Sequence, residues 1–121
     1  MHLRDEISAA IGAHGMWKTR LRAAIASGTS EFSAAQIGVD NGCAFGKWIH
    51  AVSDGQVKRS NGYQTCLKLH REFHAMAARV LSLALAGRKA EAERAMAAGG
   101  EYTAASSALT RAMMEWKDKL Q

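Results

Sequence analysis

The chain of 121 residues contains no proline, so no residue obliges a helix to stop or kink. Alanine, leucine, methionine, lysine, arginine and glutamate, which have high helix propensity, are abundant. Hydrophobic residues make up 48% of the chain, enough for a folded core rather than a disordered segment. These features predict an all-α protein, and the length suits a single domain over residues 1–121.

Apolar residues recur at steps of three and four over three segments, which predicts three long helices. The first helix is expected at residues 3–26 and the second at residues 60–86, closed by the glycine that follows. The third is expected at residues 89–120. A Gly99-Gly100 pair lies inside the third segment, but the apolar phase continues across it, so the pattern favours one long helix.

Two shorter helical pieces are expected between the first two long helices. Residues 33–39 form one candidate, because Ser33 and Gln36 have the spacing of a capping box. The other covers residues 43–52, between an Asp-Asn-Gly break and a Ser-Asp-Gly break. Three long helices and one short helix that carries Cys43 predict a four-helix bundle.

Charge and targeting features exclude several classes of protein. The formal net charge is +5, but the sixteen lysines and arginines are scattered, which argues against nucleic-acid binding. The first ten residues contain no apolar signal region, and the longest apolar run, VLSLALA, is too short to cross a bilayer. The two cysteines lack CxxC spacing and cannot form a disulfide framework. We expect a cytoplasmic protein without membrane insertion.

Three histidines lie on the predicted apolar stripes, where leucine would be usual: His14, His70 and His74. A buried imidazole needs partners for both ring nitrogens. One such histidine is more often a core residue bonded to a carbonyl than a metal ligand. Three together favour a metal site, particularly since His70 and His74 are four residues apart and leave one face of the helix.

Zinc prefers nitrogen and sulfur ligands, so a cysteine is the natural fourth donor. Cys66 lies on the same stripe, but residues 66, 70 and 74 span about 12 Å of helix axis and can hardly all reach one ion. Cys66 is therefore interpreted as a small buried hydrophobe. Cys43 begins its own helix, where unpaired backbone amides favour a thiolate, and is the better candidate.

Three short motifs contain these candidate ligands. They are HGMW at residues 14–17, CAFGKW at residues 43–48 and HREFH at residues 70–74. In this order they resemble the chemoreceptor zinc-binding (CZB) domain family, whose pattern is His-x-x-aromatic, Cys-x-hydrophobic-Gly-x-hydrophobic and His-x-x-x-His. The stretch GGEYTAASSALTRAMMEWK, residues 99–117, is similar to the family's last helix, so the resemblance extends over essentially the whole chain.

The resemblance implies roles for individual residues. The residues that match the family's Zn²⁺ ligands are His14, Cys43, His70 and His74. Residues expected to support the site are Trp17, which would pack near it, Phe45 and Trp48, which would anchor the short helix in the core, and Gly46, which would allow close approach. Surface positions are expected for Lys47, His2 and His50.

The resemblance also implies a function in bacterial signal transduction. Family members are attached to chemoreceptors or diguanylate cyclases, and some stand nearly alone; the sequence leaves open which applies here. Zinc binding restrains the attached cyclase, and the zinc-bound cysteine, here Cys43, is implicated in sensing oxidants such as hypochlorous acid. The cyclase-linked members further imply a homodimer, for which the last helix, rich in alanine, serine and methionine and with Trp116 near its end, offers a face.

Three other functions are weaker interpretations of the same residues. A zinc hydrolase needs an open coordination position and a base, as in HExxH, whereas Arg71 follows His70 here. A haemerythrin-type di-iron site needs inward carboxylates, and no Asp or Glu lies on the predicted stripes. A purely structural zinc site that only stabilises an interaction module remains an alternative. We therefore predict a regulatory domain rather than an enzyme.

Overall fold

The computed structural model describes residues 3–39 and 43–120, and all regular structure in these ranges is helical. In chain order the helices are α1 (Leu3–Ser27), α2 (Ala34–Gly38), α3 (Ala44–Ala51), α4 (Gly55–Lys58), α5 (Asn61–Leu85), α6 (Lys89–Met96) and α7 (Glu101–Lys119). They form a helical bundle, which confirms the predicted all-α class. Within these ranges no helix is both long and apolar enough to cross a membrane.

Helix α5 is the centre of the bundle and contacts α1, α2, α6 and α7. It runs antiparallel to α7. At one end of the pair Gly62 lies directly against the indole of Trp116, where any side chain on residue 62 would collide with the ring. At the other end the Arg79 guanidinium forms an ion pair of 3.1 Å with Glu101.

Helix α1 is also antiparallel to α7 and therefore parallel to α5. Its first turn is joined to the last turn of α7 through Arg4. The guanidinium Nη1 of Arg4 donates hydrogen bonds of 2.7 Å to the carbonyl oxygens of both Lys117 and Leu120. These carbonyls belong to the last turn and C-cap of α7, where the helix provides few donors of its own; the Lys117 carbonyl also accepts the Leu120 amide at 3.1 Å.

The core lies where α1, α5 and α7 meet. The largest side chains with less than 2% exposure are Ile7, Leu21, Ile49, Phe73, Leu81, Tyr102, Leu109 and Met113. Most come from the apolar stripes that predicted the helices. Burial of such a set supplies the main stabilisation of a bundle of this size.

The prediction of a single helix over residues 89–120 is wrong, because the chain divides into α6 and α7 at the glycine pair. Ala97 adopts an extended backbone conformation and Gly99 has a φ of +81°. A side chain on Gly100 would collide with the carbonyl oxygens of Arg94 and Ala95. The apolar phase continues across the break, but the backbone requires glycine at both positions.

The predicted helices at residues 3–26 and 60–86 are confirmed as α1 and α5, and α5 is followed by Gly87 with a φ of +78°. The capping box that begins α2 is also confirmed. The Gln36 amide donates to Ser33 Oγ at 3.1 Å, and the Ser33 amide donates to Gln36 Oε1 at 2.8 Å.

The predicted short helix at residues 43–52 is confirmed as α3, with Cys43 as its N-cap and Val52 as its C-cap. Helix α4 was not predicted. It begins after Asp54, whose Oδ1 accepts the amides of Gln56 at 2.9 Å and Val57 at 3.4 Å. The break predicted at residues 40–42 and the surface position predicted for His2 lie outside the described residues.

Candidate metal centre

Helices α1 and α5 bring three imidazoles together in the bundle interior. The Nε2 atom of His70 lies 3.1 Å from Nε2 of His14 and 3.1 Å from Nε2 of His74. The three residues are only 0–6% exposed. His70 and His74 occupy successive turns on the buried face of α5, and the parallel packing of α1 places His14 opposite them.

Cys43 completes the cluster from a different element. Its Sγ atom lies 3.3 Å from His70 Nε2, 3.5 Å from His74 Nε2 and 3.9 Å from His14 Nε2. The four donor atoms all lie within 4.8 Å of one another. Unlike the histidines, Cys43 is only partly buried.

This spacing fits a tetrahedral zinc ion. With Zn–N bonds of about 2.0–2.1 Å and Zn–S bonds of about 2.3 Å, tetrahedral geometry separates two nitrogens by about 3.3 Å and a nitrogen from a sulfur by about 3.6 Å. The two distances from His70 Nε2 to the other ring nitrogens, both 3.1 Å, are close to the first value, and the nitrogen–sulfur distances of 3.3–3.9 Å bracket the second. Three imidazoles and one thiolate are also donors that zinc prefers.

Hydrogen bonds fix the orientation of two of the rings. The Nδ1–H of His14 donates to the Ala10 carbonyl at 2.8 Å, within α1. The Nδ1–H of His74 donates to the Ile37 carbonyl at 2.8 Å, which belongs to α2. A proton on Nδ1 leaves the lone pair of Nε2 directed into the cluster, the tautomer that metal binding needs.

The third ring, His70, is held by packing instead. Its Nδ1 is buried and has no hydrogen-bond partner among the described residues. The Phe45 ring meets His70 edge-on with a centroid distance of 5.0 Å, and it meets His14 in the same way at 6.0 Å. An unpaired buried nitrogen costs about 1–3 kcal/mol, so the bundle tolerates one unsatisfied polar atom on the side of the His70 ring that faces away from the cluster.

Burial keeps the imidazoles of His14 and His70 neutral. It lowers the pKa of His14 to about 4, against the smaller raising effect of the Ala10 hydrogen bond. It lowers the pKa of His70 to about 3, with further lowering from the charges that His74, His14 and His50 would carry. Both rings are therefore uncharged near pH 7, as metal ligands must be.

The two cysteines have opposite environments. Cys43 Sγ accepts the Gly46 amide at 3.2 Å at the start of α3, an arrangement that favours a thiolate. Cys66 is 0% exposed and lies outside the cluster, and burial raises the pKa of its thiol to about 12. The interpretation of Cys66 as a small buried hydrophobe therefore agrees with its place in the structure.

The residues predicted to support the site lie around it in two groups. Phe45 packs directly on the imidazoles, whereas Trp48 packs on Phe45 at 5.7 Å and on Trp116 at 6.3 Å. Trp17 lines a cavity beside the cluster and packs on Phe32 at 5.2 Å.

The remaining surface and site predictions can be compared in the same way. Gly46 is buried, while Lys47 and His50 are exposed as expected.

Sequence reasoning missed the carbonyls of Ala10 and Ile37, which accept the ring hydrogens of His14 and His74. The first could have been found, because it lies one helical turn before His14; the second depends on the packing of α2 against α5.

Comparison with known proteins agrees with this geometry. The fold and the cluster define a helical zinc-binding domain. A family model described as the chemoreceptor zinc-binding domain matches residues 14–81, more than half of the chain and all four cluster residues. The chain belongs to this family, and it is a zinc-binding signalling domain. Neither the curated proteins nor the solved structures include a match.

The family match ends at residue 81. The similarity of residues 99–117 to the family's last helix therefore stays a prediction. The family is regulatory and sensory rather than catalytic, and its members occur in chemoreceptors and other signalling proteins.

Proposed function

We propose that His14, Cys43, His70 and His74 together hold one Zn²⁺ ion, and that the chain acts as a single sensory domain over residues 1–121. The observation that carries this proposal is the convergence of three Nε2 atoms and one Sγ within 4.8 Å. One thiolate and three neutral imidazoles leave a net charge of +1 on the centre.

The donor set supports regulation rather than hydrolysis. Four protein ligands fill a tetrahedral shell, whereas a catalytic zinc ion keeps a position open for water. The cluster contains no carboxylate, and Glu72, which follows His70 by two residues, is exposed. A base close to a metal-bound water is therefore missing from the described cluster.

Cys43 is proposed to be the residue that senses oxidants. It is the most accessible of the four donors. A zinc-bound thiolate is already deprotonated and can be oxidised to a sulfenate, which is a poorer ligand. Its segment could then leave the centre while the three histidines retain the ion, a local two-state change suited to signalling.

The output is proposed to pass to a signalling partner, either attached to this domain or associated with it, of the chemoreceptor or diguanylate cyclase kind. The setting is cytoplasmic and the domain is proposed to be a homodimer. Helix α7 carries an exposed Met114, but Trp116 is buried in the fold, so a dimer face on α7 would rest on residues other than Trp116. Sedimentation at tens of micromolar tests this, and a monomer would contradict it.

Metal analysis tests the central proposal. Protein purified without added metal should carry about one zinc per chain, because the four donors form one complete set. Iron at two ions per chain, or a well-folded protein without metal, would contradict it.

Mild treatment with hypochlorous acid separates a sensor from a structural zinc site. Amide exchange should rise around Cys43 alone, reversibly and with zinc retained, and Cys43→Ala should show no such change. Global loss of protection would indicate that zinc only stabilises the bundle.

A further inference from the structure

A cavity of about 470 Å³ opens beside the metal centre, between α1 and α2. Its walls include Ala13, Trp17, Phe32 and Phe45, and it reaches the side chains of Cys43 and His74. Small-molecule sites occupy about 300–1,000 Å³ and are lined mainly by apolar and aromatic groups. This cavity therefore has the size and the chemistry of a ligand site rather than of a packing defect.

A molecule in the cavity meets the sulfur before the imidazoles. His14 and His74 are 6% and 3% exposed, whereas Cys43 is only partly buried. The Nε2 atom of each histidine points into the cluster, and its Nδ1 donates to a backbone carbonyl. Cys43 is thus the reactive group that the cavity presents to an entering molecule.

The walls favour uncharged molecules with a flat apolar body. Trp17 and Phe32 meet at a centroid distance of 5.2 Å and both contribute apolar ring surface to the cavity wall. The charged groups at the cavity are Glu6 and Arg20, which have opposite signs. The Arg20 guanidinium lies 4.9 Å from the Trp17 ring centre, so its charge is already partly engaged. An anion would lose hydration on entry without gaining a dedicated partner.

We propose that this cavity binds small uncharged electrophiles of the quinone class and places them against Cys43 Sγ for alkylation. The inference rests on the proposed function, since it requires Cys43 to be a thiolate in the metal centre. The sulfur lone pair forms an S–C bond to a ring carbon of the quinone. The electrons of the attacked C=C bond move to a carbonyl oxygen, which takes a proton from water. A proton shift from the ring carbon to the second oxygen then gives a hydroquinone thioether, with no further oxidant needed.

Zinc-loaded protein can test this with 1,4-naphthoquinone and with iodoacetate, a charged alkylating agent. Peptide mass spectrometry would give the rate of modification at Cys43, in native protein and in urea. For each reagent, the rate at Cys43 in native protein is divided by the rate in urea. This ratio should be about tenfold higher for the quinone than for iodoacetate, because only the quinone gains apolar contact in the cavity. Equal ratios for the two reagents would overturn the proposal.

A cavity-filling variant gives the matched test. Ala13 is exposed on α1 and forms part of the wall, so Ala13→Phe should lower the native quinone rate about threefold or more by occupying the space. Ala75→Phe, at an exposed position on α5, is the control and should leave the rate unchanged.

Zinc content, measured on the same samples, separates this inference from the proposed function. An unchanged quinone rate in Ala13→Phe, with one zinc per chain, would overturn the cavity's role alone. A Cys43→Ala variant that binds zinc as tightly as the parent would instead overturn the assignment of the metal ligands.

Discussion

The two sides of the metal centre are built in different ways. His70 and His74 lie in the interior of the 25-residue helix α5, fully buried and surrounded by the bundle. Cys43 is the N-cap of the eight-residue helix α3 and is only partly buried. One side is fixed by the same packing that stabilises the fold, while the other depends on a short segment. The comparison supports the proposal that the histidines fix the position of the ion and that the cysteine is the donor that reacts with oxidants.

Removal of a histidine from α5 should have the largest effect on zinc binding. Structural zinc sites contribute about 10–16 kcal/mol, or about 3 kcal/mol per ligand, so His70→Ala or His74→Ala should weaken affinity about 100-fold or more. Competition with a chelator measures this, and circular dichroism checks that the variants remain helical. A loss no larger than that of Cys43→Ala would show that the two sides are equivalent.

The packing of α5, the helix that carries His70 and His74, can be tested without changing any of the candidate metal ligands. A side chain at Gly62 would collide with Trp116, so Gly62→Ala should lower the free energy of unfolding by about 1–3 kcal/mol. The control is Gly12→Ala, at an exposed position of α1 where an added methyl group meets nothing within 4 Å. This change should raise the free energy of unfolding by about 0.5–1 kcal/mol. Urea denaturation measures both, and destabilisation of similar size in the two variants would contradict the packing argument.

Cys43→Ala should have a smaller effect than the loss of either α5 histidine. Three imidazoles remain and can hold the ion with water as a fourth ligand, so affinity should fall about tenfold. In cobalt-substituted protein the thiolate-to-cobalt charge-transfer absorption should disappear while cobalt stays bound. Complete loss of metal would show that the short segment, and not α5, determines binding.

The second cysteine provides the smallest expected effect. Cys66 lies outside the cluster and is fully buried, so Cys66→Ala should leave zinc affinity within a few-fold of the parent. Burial raises the pKa of this thiol to about 12, so a thiol reagent should modify it only after unfolding. An equal loss of zinc from both cysteine variants would mean that the wrong thiol was assigned to the centre.

Periodicity predicted the parts of the molecule in which the helix face alone decides burial. The ends of α1 and α5, and the inward positions of His14, His70 and His74, follow from steps of three and four along the chain. The same reasoning failed at Gly99-Gly100, because apolar phase carries no information about a local φ of +81°. The glycine pair was the available signal there.

Features that depend on contacts between distant segments could not be predicted. The Ile37 carbonyl becomes the partner of His74 only because α2 packs on α5, across 37 residues of chain. The cavity beside Cys43 likewise depends on how far α2 lies from α1. No local sequence motif encodes the packing of α2 on α5 or the distance between α2 and α1.

The sulfur of Cys43 has a second role besides metal binding: it accepts the Gly46 amide and so caps helix α3. The first turn of α3 and the chemical state of this sulfur are therefore thermodynamically linked. A modification that uses the lone pairs of the sulfur also removes the hydrogen-bond acceptor of the Gly46 amide. Because such coupling is reciprocal, a firmly formed helix start stabilises the unmodified sulfur, and modification of the sulfur destabilises the helix start by the same free energy. The stability of an eight-residue helix and the chemical state of the sulfur at its N-cap therefore depend on each other.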